Sequence, residues 1–392
     1  MRRLSGQQIQ TGCYRSWNRV YGSYRCREIF AGELVKSVPS TALVIAAVIL
    51  IFPVQLHARN YNSFGPISVR NQNPVYLQNL GLTPRRAEPL ASGTLETRID
   101  SAYSSMYEAQ IGNNSSMDFD MELWRLALHM DYGVRNDMEV GIEIPMLHFN
   151  GGFLDRFIQE FHNFFHLPNG GRENVPNGRF SYRFSSGGRD LLDYPEMGLG
   201  LGDISFHVKN QLLGEDDDWP DLSWFAEIKL PTGKKSRGLG SGAMDFGVGS
   251  ILGVSHKRVH GHVNVGLYVL GGNQSISNFM YNNMLAFSLA GELTLLPTWS
   301  MIVQLDGSTP LFNSTSMDNW DGVPMNLIVG FRGEERSIIR NSDLIWQFGF
   351  VEDITSRGPA VDFTVFFSLG MRFDTLGRHR PAGDWLARKV LK

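Results

Sequence analysis

Charged side chains alternate with apolar ones along several separate stretches of this chain. Arg125, His129 and Asp131, for example, lie at odd positions, and apolar Leu126 and Leu128 lie between them. Successive side chains of a β-strand point to opposite faces, so each stretch would have one polar and one apolar face. We predict that the polar faces surround a common lumen, lined by Arg98, Arg125, His129, Asp131, Glu139, Glu143, His207, Lys209, Glu227, Lys229, His262, Glu292, Asp306, Arg332 and Arg372.

The mixture of acids and bases in this set leaves two interpretations open. Opposite charges on neighbouring strands can pair across a sheet. In the first interpretation the lumen is a hydrated pathway with a mixed-charge lining. In the second, salt bridges fill the polar interior and nothing is conducted, because a small barrel can be filled largely by its own side chains.

Histidines offer the remaining chemistry. His129 or His207 could act in a barrel hydrolase, which needs a nucleophile beside a positioned histidine, but no local signature marks either residue. His162 and His166 are one helical turn apart, a spacing that can hold a metal, although two ligands alone are weak evidence. The sequence therefore predicts no catalytic residues, no metal and no cofactor, and an outer-membrane lipid hydrolase remains as an alternative.

A glycine-rich stretch follows the positively charged residues 234–235. Residues 238–242 (GLGSG) lack the phosphate-loop pattern and lie between two strands rather than before a helix. We predict a surface turn there.

The elements that must position the charged side chains are strands. In residues 363–373 (FTVFFSLGMRF), Phe363, Val365 and Phe367 share one face, and Thr364 lies on the other. A strand of about ten residues with this alternation is the unit of a transmembrane β-barrel. The alternation recurs at about 95–107, 123–134, 138–146, 204–212, 222–230, 245–255, 262–270, 284–295, 301–308, 323–332 and 344–351.

The count and the connections of these segments define the predicted fold. Twelve strands is an even number, as single-chain bacterial barrels require, and their turns alternate between short ones inside and long ones outside. Residues 135–137 form a short turn, whereas residues 150–198 and 231–243 are long. We predict an all-β, transmembrane, antiparallel up-and-down β-barrel of about 12 strands in residues 94–373. A soluble β-sandwich or lectin would also alternate, but here no second sheet covers the apolar faces.

The long extracellular insertion, residues 150–198, contains an apolar stretch with helical spacing. Residues 153–166 (FLDRFIQEFHNFFH) follow two glycines and precede a Pro-Asn-Gly-Gly stop, which predicts an amphipathic helix. Three interpretations of this helix stay open. It lies on the outer leaflet, it plugs the barrel mouth and meets an apolar ligand, or it simply caps the rim. The gating or lid candidates are Phe153, Phe157, Phe161, Phe164 and Phe165.

The N-terminal region reads as an export signal followed by an irregular segment. An apolar run ends near Ala58 after a basic stretch, so we predict that residues 1–58 are a leader cleaved after Ala58. Both cysteines, Cys13 and Cys26, lie within that leader. Residues 59–93 contain four prolines and no sustained period, and we predict an irregular periplasmic segment, partly packed into the barrel.

Composition excludes two other classes of protein. A formal net charge of -3 argues against a nucleic-acid partner, which needs a clustered basic surface. Hydrophobic residues make up 42% of the chain, too few for a bundle of membrane helices but suited to strands that are apolar on one face.

Several turn and strand motifs resemble known barrels. Residues 200–205 (GLGDIS), 229–233 (KLPTG) and 238–242 (GLGSG) resemble the barrels associated with the meta-pathway of phenol degradation. The phenylalanine-rich insertion with residues 167–172 (LPNGGR) is more similar still to a bacterial family, domain of unknown function 3187, over about residues 95–373. This resemblance implies an outer-membrane barrel with small apolar or aromatic cargo, and it supplies no catalytic residues. The basic C-terminal tail, residues 374–392, departs from a chain that ends at its closing strand.

Three functional hypotheses follow. The first is a passive channel for small molecules, hydrophobic or aromatic ones included, gated by residues 150–198. The second is a non-conducting structural or adhesive barrel that acts through its outer loops, and the third is the lipid hydrolase. All three place the protein in the outer membrane of a Gram-negative bacterium, with outer-membrane lipid and the barrel-assembly machinery as partners.

Overall fold

The computed structural model describes residues 63–112, 114–165, 172–214, 220–271, 283–312, 317, 320–336, 342–355, 358–359 and 361–376. All of them fall within residues 58–392, which form one compact unit. The predicted leader, His166 and residues 377–392 lie outside the described residues. Cleavage at Ala58 therefore stays a prediction.

The alternating segments form strands of a single antiparallel sheet. The described strands are β1 Thr94–Ile111, β2 Ser115–Arg135, β3 Met138–Asn150, β4 Ser181–Ser186, β5 Arg189–Asp193, β6 Met197–Leu201, β7 Ser205–Leu213, β8 Asp221–Lys229, β9 Asp245–His256, β10 Val259–Leu270, β11 Met284–Leu296, β12 Trp299–Ser308, β13 Met325–Arg336, β14 Ser342–Asp353 and β15 Phe363–Asp374.

Strands β1–β3 and β7–β15 close into a barrel of twelve. Each strand pairs with the next along the chain, β3 pairs directly with β7, and β15 pairs back with β1. In that closing pair Leu95 lies opposite Phe373 and Ile99 lies opposite Leu369. The predicted antiparallel barrel of about twelve strands is confirmed, and each predicted strand overlaps an observed one.

The alternation places polar side chains inside the wall and apolar ones outside. On β10, His262 and Asn264 are buried, whereas Leu267 and Val269 are 57% and 54% exposed. On β15, Phe367 is likewise 51% exposed. An apolar outer surface around a polar interior is the arrangement of a barrel wall that faces lipid.

The two ends of the barrel differ in their connections. At the short-turn end, two residues join β2 to β3, β9 to β10 and β11 to β12. At the long-loop end, residues 151–204 connect β3 to β7, and residues 230–244 connect β8 to β9. These two names are used below for the ends.

The N-terminal segment lies inside the barrel, and we call residues 63–92 the plug. It begins beside Glu292 near the short-turn end, rises to the short helix α1 (Pro74–Leu77) and returns to Glu139 beside the β2–β3 turn. An irregular periplasmic segment partly packed into the barrel is predicted for residues 59–93. The described part, the plug, lies within the wall, because its backbone groups find partners among the inward polar side chains.

The long insertion contains the predicted helix and three strands that were not predicted. Helix α2 spans Asp155–Phe165, which confirms the amphipathic helix. Strand β4 pairs with β2 where β3 has left it, β5 pairs with β4, and β6 pairs with the end of β3. These strands have only five or six residues, too few to give a clear alternation. Within the described residues, no helix has the length and apolar character needed to cross a membrane.

An aromatic cluster closes the long-loop end of the lumen. The ring of Phe119 lies 4.9 Å from that of Tyr182 and 5.7 Å from that of Trp320, both edge-to-face. Tyr76 and Leu77 of the plug are buried against the same core. The aromatic cluster consists of Phe119, Phe149, Tyr182, Phe184, Phe312 and Trp320.

Candidate functional site

The candidate site is the lumen, and all fifteen predicted lining residues lie on the inward face of the wall. Their side chains are buried or half-buried, because the plug occupies the space between them. Their partners divide the wall into two regions with different chemistry.

One region satisfies its charges within the wall. Arg98 Nε donates to Asp100 Oδ1 at 2.7 Å, and His129 Nε2 lies 2.9 Å from Asp100 Oδ2. Arg125 pairs with Glu143. The ion-pair side, as we call it, consists of Glu96, Arg98, Asp100, Arg125, His129, Glu143, Glu334 and Arg372.

The opposite region binds the backbone of the plug. The amide of Gln304 accepts from Ile67 N at 2.9 Å and donates to Ile67 O at 3.1 Å, as a neighbouring strand would. Glu292 accepts from Phe64 N at 2.9 Å and from Gly65 N at 3.1 Å. The plug-binding side consists of Ser223, Lys229, Asp245, Asn264, Glu292, Gln304, Arg332 and Gln347.

Between the two sides, the plug contributes its own charges to the wall. Arg85 Nη1 lies 2.5 Å from Glu227 Oε1, and Arg85 Nη2 lies 3.5 Å from His207 Nδ1. Lys209 Nζ donates to the carbonyl oxygens of Arg86 and Glu88, each at 3.1 Å. These contacts hold residues 85–90, which we call the returning arm of the plug, at the short-turn end.

The glycine-rich stretch is more deeply packed than predicted. Asp203 Oδ1 accepts from Gly233 N at 2.7 Å, and Asp203 Oδ2 accepts from Ser241 N at 3.1 Å and from Lys229 Nζ at 2.7 Å. A Cβ on Gly240 would lie 2.2 Å from Asp203 Oδ1, so only glycine fits there. The predicted surface turn is therefore folded inward, because one buried carboxylate serves as the acceptor for its backbone. This contact explains why the Gly-Asp, Pro-Thr-Gly and Gly-Ser-Gly motifs occur together.

The start of the insertion covers the outward face of β2. Glu122 lies on that face, yet it is fully buried, and it accepts from Phe153 N at 2.8 Å and from the Tyr103 hydroxyl at 2.5 Å. The Phe153 ring lies 5.5 Å from that of outward-facing Tyr103. Of the lid candidates, Phe153 and Phe164 are exposed, and the side chains of Phe157, Phe161 and Phe165 lie outside the described set. A lid role stays a prediction.

Arg172 fastens the rest of the insertion to the barrel. It pairs with Asp155 at the start of α2 and, at 2.6 Å, with Asp362 just before β15. Burial alone lowers the pKa of Arg172, but the carboxylates of Asp362 and Asp155 outweigh burial and raise that pKa above its usual value. The insertion is thus pinned beside β1 and β15 by charge.

Two small cavities lie between the plug and the wall. One of about 10 Å³ is lined by Arg70, Glu143 and Lys229. The other, of about 40 Å³, is lined by Tyr76 and Asp306 among others. One water needs about 10–15 Å³, so these cavities hold at most a few waters.

The fold and the lumen define a closed twelve-strand barrel with an internal plug, the barrel type of outer-membrane proteins. A family model described as "Protein of unknown function (DUF3187)" matches residues 41–374. The chain belongs to this family, as the sequence motifs indicated. No functionally curated protein matches the chain.

The solved structures with a similar fold include outer-membrane channels. An outer-membrane channel from Pseudomonas putida F1 is 13% identical, with a TM-score of 0.49 over 75% of this chain and 100% of that one. The monoaromatic hydrocarbon channel CymD is 9% identical (TM-score 0.35, 80% and 97% covered). The toluene transporter TodX of P. putida is 7% identical (TM-score 0.32, 77% and 91% covered).

Sequence reasoning missed the groups that bind the plug. Gln304, Gln347 and Asn264 face inward at the expected register, but neutral amides gave no reason to single them out. Arg85 was missed because its segment shows no period. One signal was available for the covered outer face. The even positions of β2 are polar from Ser116 to Glu122 and become apolar only from Trp124 onward.

Proposed function

We propose that this protein is a channel for small molecules in the outer membrane of a Gram-negative bacterium, closed by the plug in the state described. Outer-membrane lipid would contact its apolar outer face, and the barrel-assembly machinery would insert it. The cargo passes through the lumen when the plug moves aside.

One observation carries this proposal: a separate segment fills the lumen, not the side chains of the wall alone. On the plug-binding side, the wall meets plug backbone through hydrogen bonds such as Gln304 to Ile67 and Gln347 to Ser68. Such bonds contribute only about 1 kcal/mol each, because water replaces the partner when they break. A plug held in this way can leave without unfolding the barrel.

The long-loop end supports cargo that is small and hydrophobic or aromatic. There the aromatic cluster lies between the tip of the plug and the outer loops, so a molecule entering from that end meets rings before charges. Aromatic side chains bind apolar molecules through area burial and ring contacts.

A second candidate, the non-conducting structural or adhesive barrel, is favoured by a different observation. The two cavities beside the plug, of about 10 and 40 Å³, give no room for cargo in the described state. If the plug never leaves, the long outer loops would carry the function.

A disulfide between the plug and the wall separates these candidates. A Cβ built on Gly253 of β9 lies 3.5 Å from Ala87 Cβ, within the roughly 3.5–4.5 Å that a disulfide requires. The variant Ala87→Cys/Gly253→Cys, made with Cys13→Ser and Cys26→Ser, would lock the plug when oxidised. Single-channel conductance is measured in planar bilayers before and after reduction, with each single cysteine variant as a matched control.

We expect current steps in the reduced double variant and in both controls, and silence in the oxidised double variant. Silence of the unmodified protein and of the reduced variant would favour the non-conducting barrel. Equal currents with and without the disulfide would mean that the pathway does not depend on plug movement.

A further inference from the structure

A histidine and two carboxylates meet at the short-turn end of the lumen. Asp131 of β2, Glu139 of β3 and His207 of β7 each offer one ligand atom, and these atoms lie within 4.8 Å of one another. His207 Nε2 is 3.3 Å from Asp131 Oδ1 and 3.8 Å from Glu139 Oε1.

These spacings suit a shared metal ion. Zinc binds histidine nitrogen and carboxylate oxygen at about 2.0–2.2 Å, and the edge of a tetrahedron with such bonds is about 3.4 Å. The separations of 3.3 and 3.8 Å lie close to that edge. A fourth position would be left for water.

The cluster contains atoms that the protein leaves unsatisfied. His207 Nε2 and Asp131 Oδ1 are buried and make no hydrogen bond in the described part of the chain, although they face each other. The His207 side chain is only 7% exposed. The two atoms lie close together without aligning for a mutual hydrogen bond, so a ligand placed between them would satisfy both.

Gly141 of β3 creates the space between these groups. It lies opposite Asp131 on one side and opposite His207 on the other. A Cβ at this position would lie 2.0 Å from Asp131 Oδ1 and 2.3 Å from His207 Cε1. Any other residue would force the two ligands apart.

The surroundings supply a second acceptor and the needed charge. Glu227 lies directly across from His207, and its Oε2 has no hydrogen-bond partner among the described residues. Arg85 Nη2 lies 3.5 Å from His207 Nδ1, so the second imidazole nitrogen faces the Arg85–Glu227 ion pair. Arg85 pairs with Glu227 and Lys209 pairs with Glu139, whereas Asp131 has no lysine or arginine within ion-pair distance among the described residues.

We propose that Asp131, Glu139 and His207 bind a divalent cation of the zinc class, with His207 contributing Nε2. Lys209, 3.1 Å from Glu139 Oε1, would yield that oxygen to the metal and keep its two plug carbonyl contacts. The site would join β2, β3 and β7 beside the returning arm of the plug. Metal binding at this site does not depend on whether the barrel conducts.

Zinc binding to the full chain tests this proposal. The purified protein, with its cysteines alkylated, is dialysed to equilibrium against Zn²⁺, and bound metal is counted. We expect one more tight equivalent than in His207→Gln or Gly141→Ala. His260→Gln removes another buried inward-facing histidine, of β10, and should leave the count unchanged.

X-ray absorption on the zinc-loaded, unsubstituted protein gives a reading that needs no variant. One imidazole with oxygen ligands at about 2.0–2.2 Å would agree with the site. The proposal is overturned by equal zinc counts in the unsubstituted protein and in folded His207→Gln, or by a spectrum without imidazole.

Discussion

The two sides of the lumen satisfy their buried polar groups in different ways. On the ion-pair side, wall charges neutralise each other, as Arg98 does with Asp100 and Arg125 with Glu143. On the plug-binding side, polar groups such as Gln304 and Glu292 find their partners in plug backbone. The first side keeps its ion pairs whether the plug is present or absent. The second side loses its bonds to plug backbone when the plug leaves, although Glu292 keeps His262 and Lys229 keeps Asp245.

The two sides therefore stabilise different parts of the molecule. The ion-pair side stabilises the barrel wall, and the plug-binding side holds the plug. Burying a charge without a partner is costly, so the ion-pair side must remain paired for the barrel to be stable. Hydrogen bonds to neutral backbone exchange readily with water at small net cost. Substitutions on the two sides should therefore affect different measurements.

The largest effect is expected for Arg98→Met on the ion-pair side. It leaves Asp100 buried with only His129 beside it, whereas Glu96 keeps Arg372. Because breaking a buried pair costs about 3–5 kcal/mol, we expect a loss near the lower end of that range. The free energy of unfolding is measured by urea titration in lipid vesicles. Trypsin cleavage within the plug should change little at low denaturant. Faster plug cleavage together with unchanged unfolding would contradict the division between the two sides.

Next in size is Glu292→Ala on the plug-binding side. It removes the acceptor of Phe64 N and Gly65 N, at a cost of about 2 kcal/mol to the plugged state. That cost corresponds to about a thirty-fold rise in the population with an open plug. The variant also removes the partner of His262 in the wall, a loss that applies with or without the plug. The readout is the rate of trypsin cleavage at Arg70 or Arg85 in an otherwise folded barrel. Arg98→Met serves as the matched control, and equal cleavage rates in the two variants would break the comparison.

A smaller effect is expected for Asp203→Asn, at the boundary between plug and loops. The amide keeps one acceptor for Gly233 N but loses the charge that pairs with Lys229, and Lys229 retains Asp245 at 3.0 Å. We expect a loss of about 1 kcal/mol in unfolding free energy. Hydrogen exchange should rise first in residues 231–243. Unchanged exchange there would mean that Asp203 does not hold the loop.

The wall could be predicted from the sequence because its information is local. In residues 363–373, alternation alone indicates the strand, its two faces and its role in closing the barrel. The inward position of Lys229 and Glu292 follows from the same period. Even the covered face at Glu122 had a local sign, because Asp118, Asp120 and Glu122 share the face of β2 that is apolar from Trp124 onward.

The plug and its partners could not be predicted because their information is distributed. Ile67 meets a side chain 237 positions away, and Arg85 meets one 142 positions away. No periodic pattern in residues 63–92 reports such pairings. The metal candidate was missed for the same reason: Asp131, Glu139 and His207 are adjacent only after β3 pairs with β2 and β7.

The smallest effect is expected for Arg135→Ala. This variant removes a solvent-exposed ion pair at the end of β2, one of the strands that carry the ion-pair side. Arg135 lies 3.0 Å from Asp137 in the β2–β3 turn, and these side chains are 62% and 53% exposed. Because water screens both charges, the loss should be about 0.5 kcal/mol or less in unfolding free energy. A loss as large as that of Arg98→Met would mean that burial does not determine the strength of the ion-pair side, and that turn geometry stabilises the wall instead.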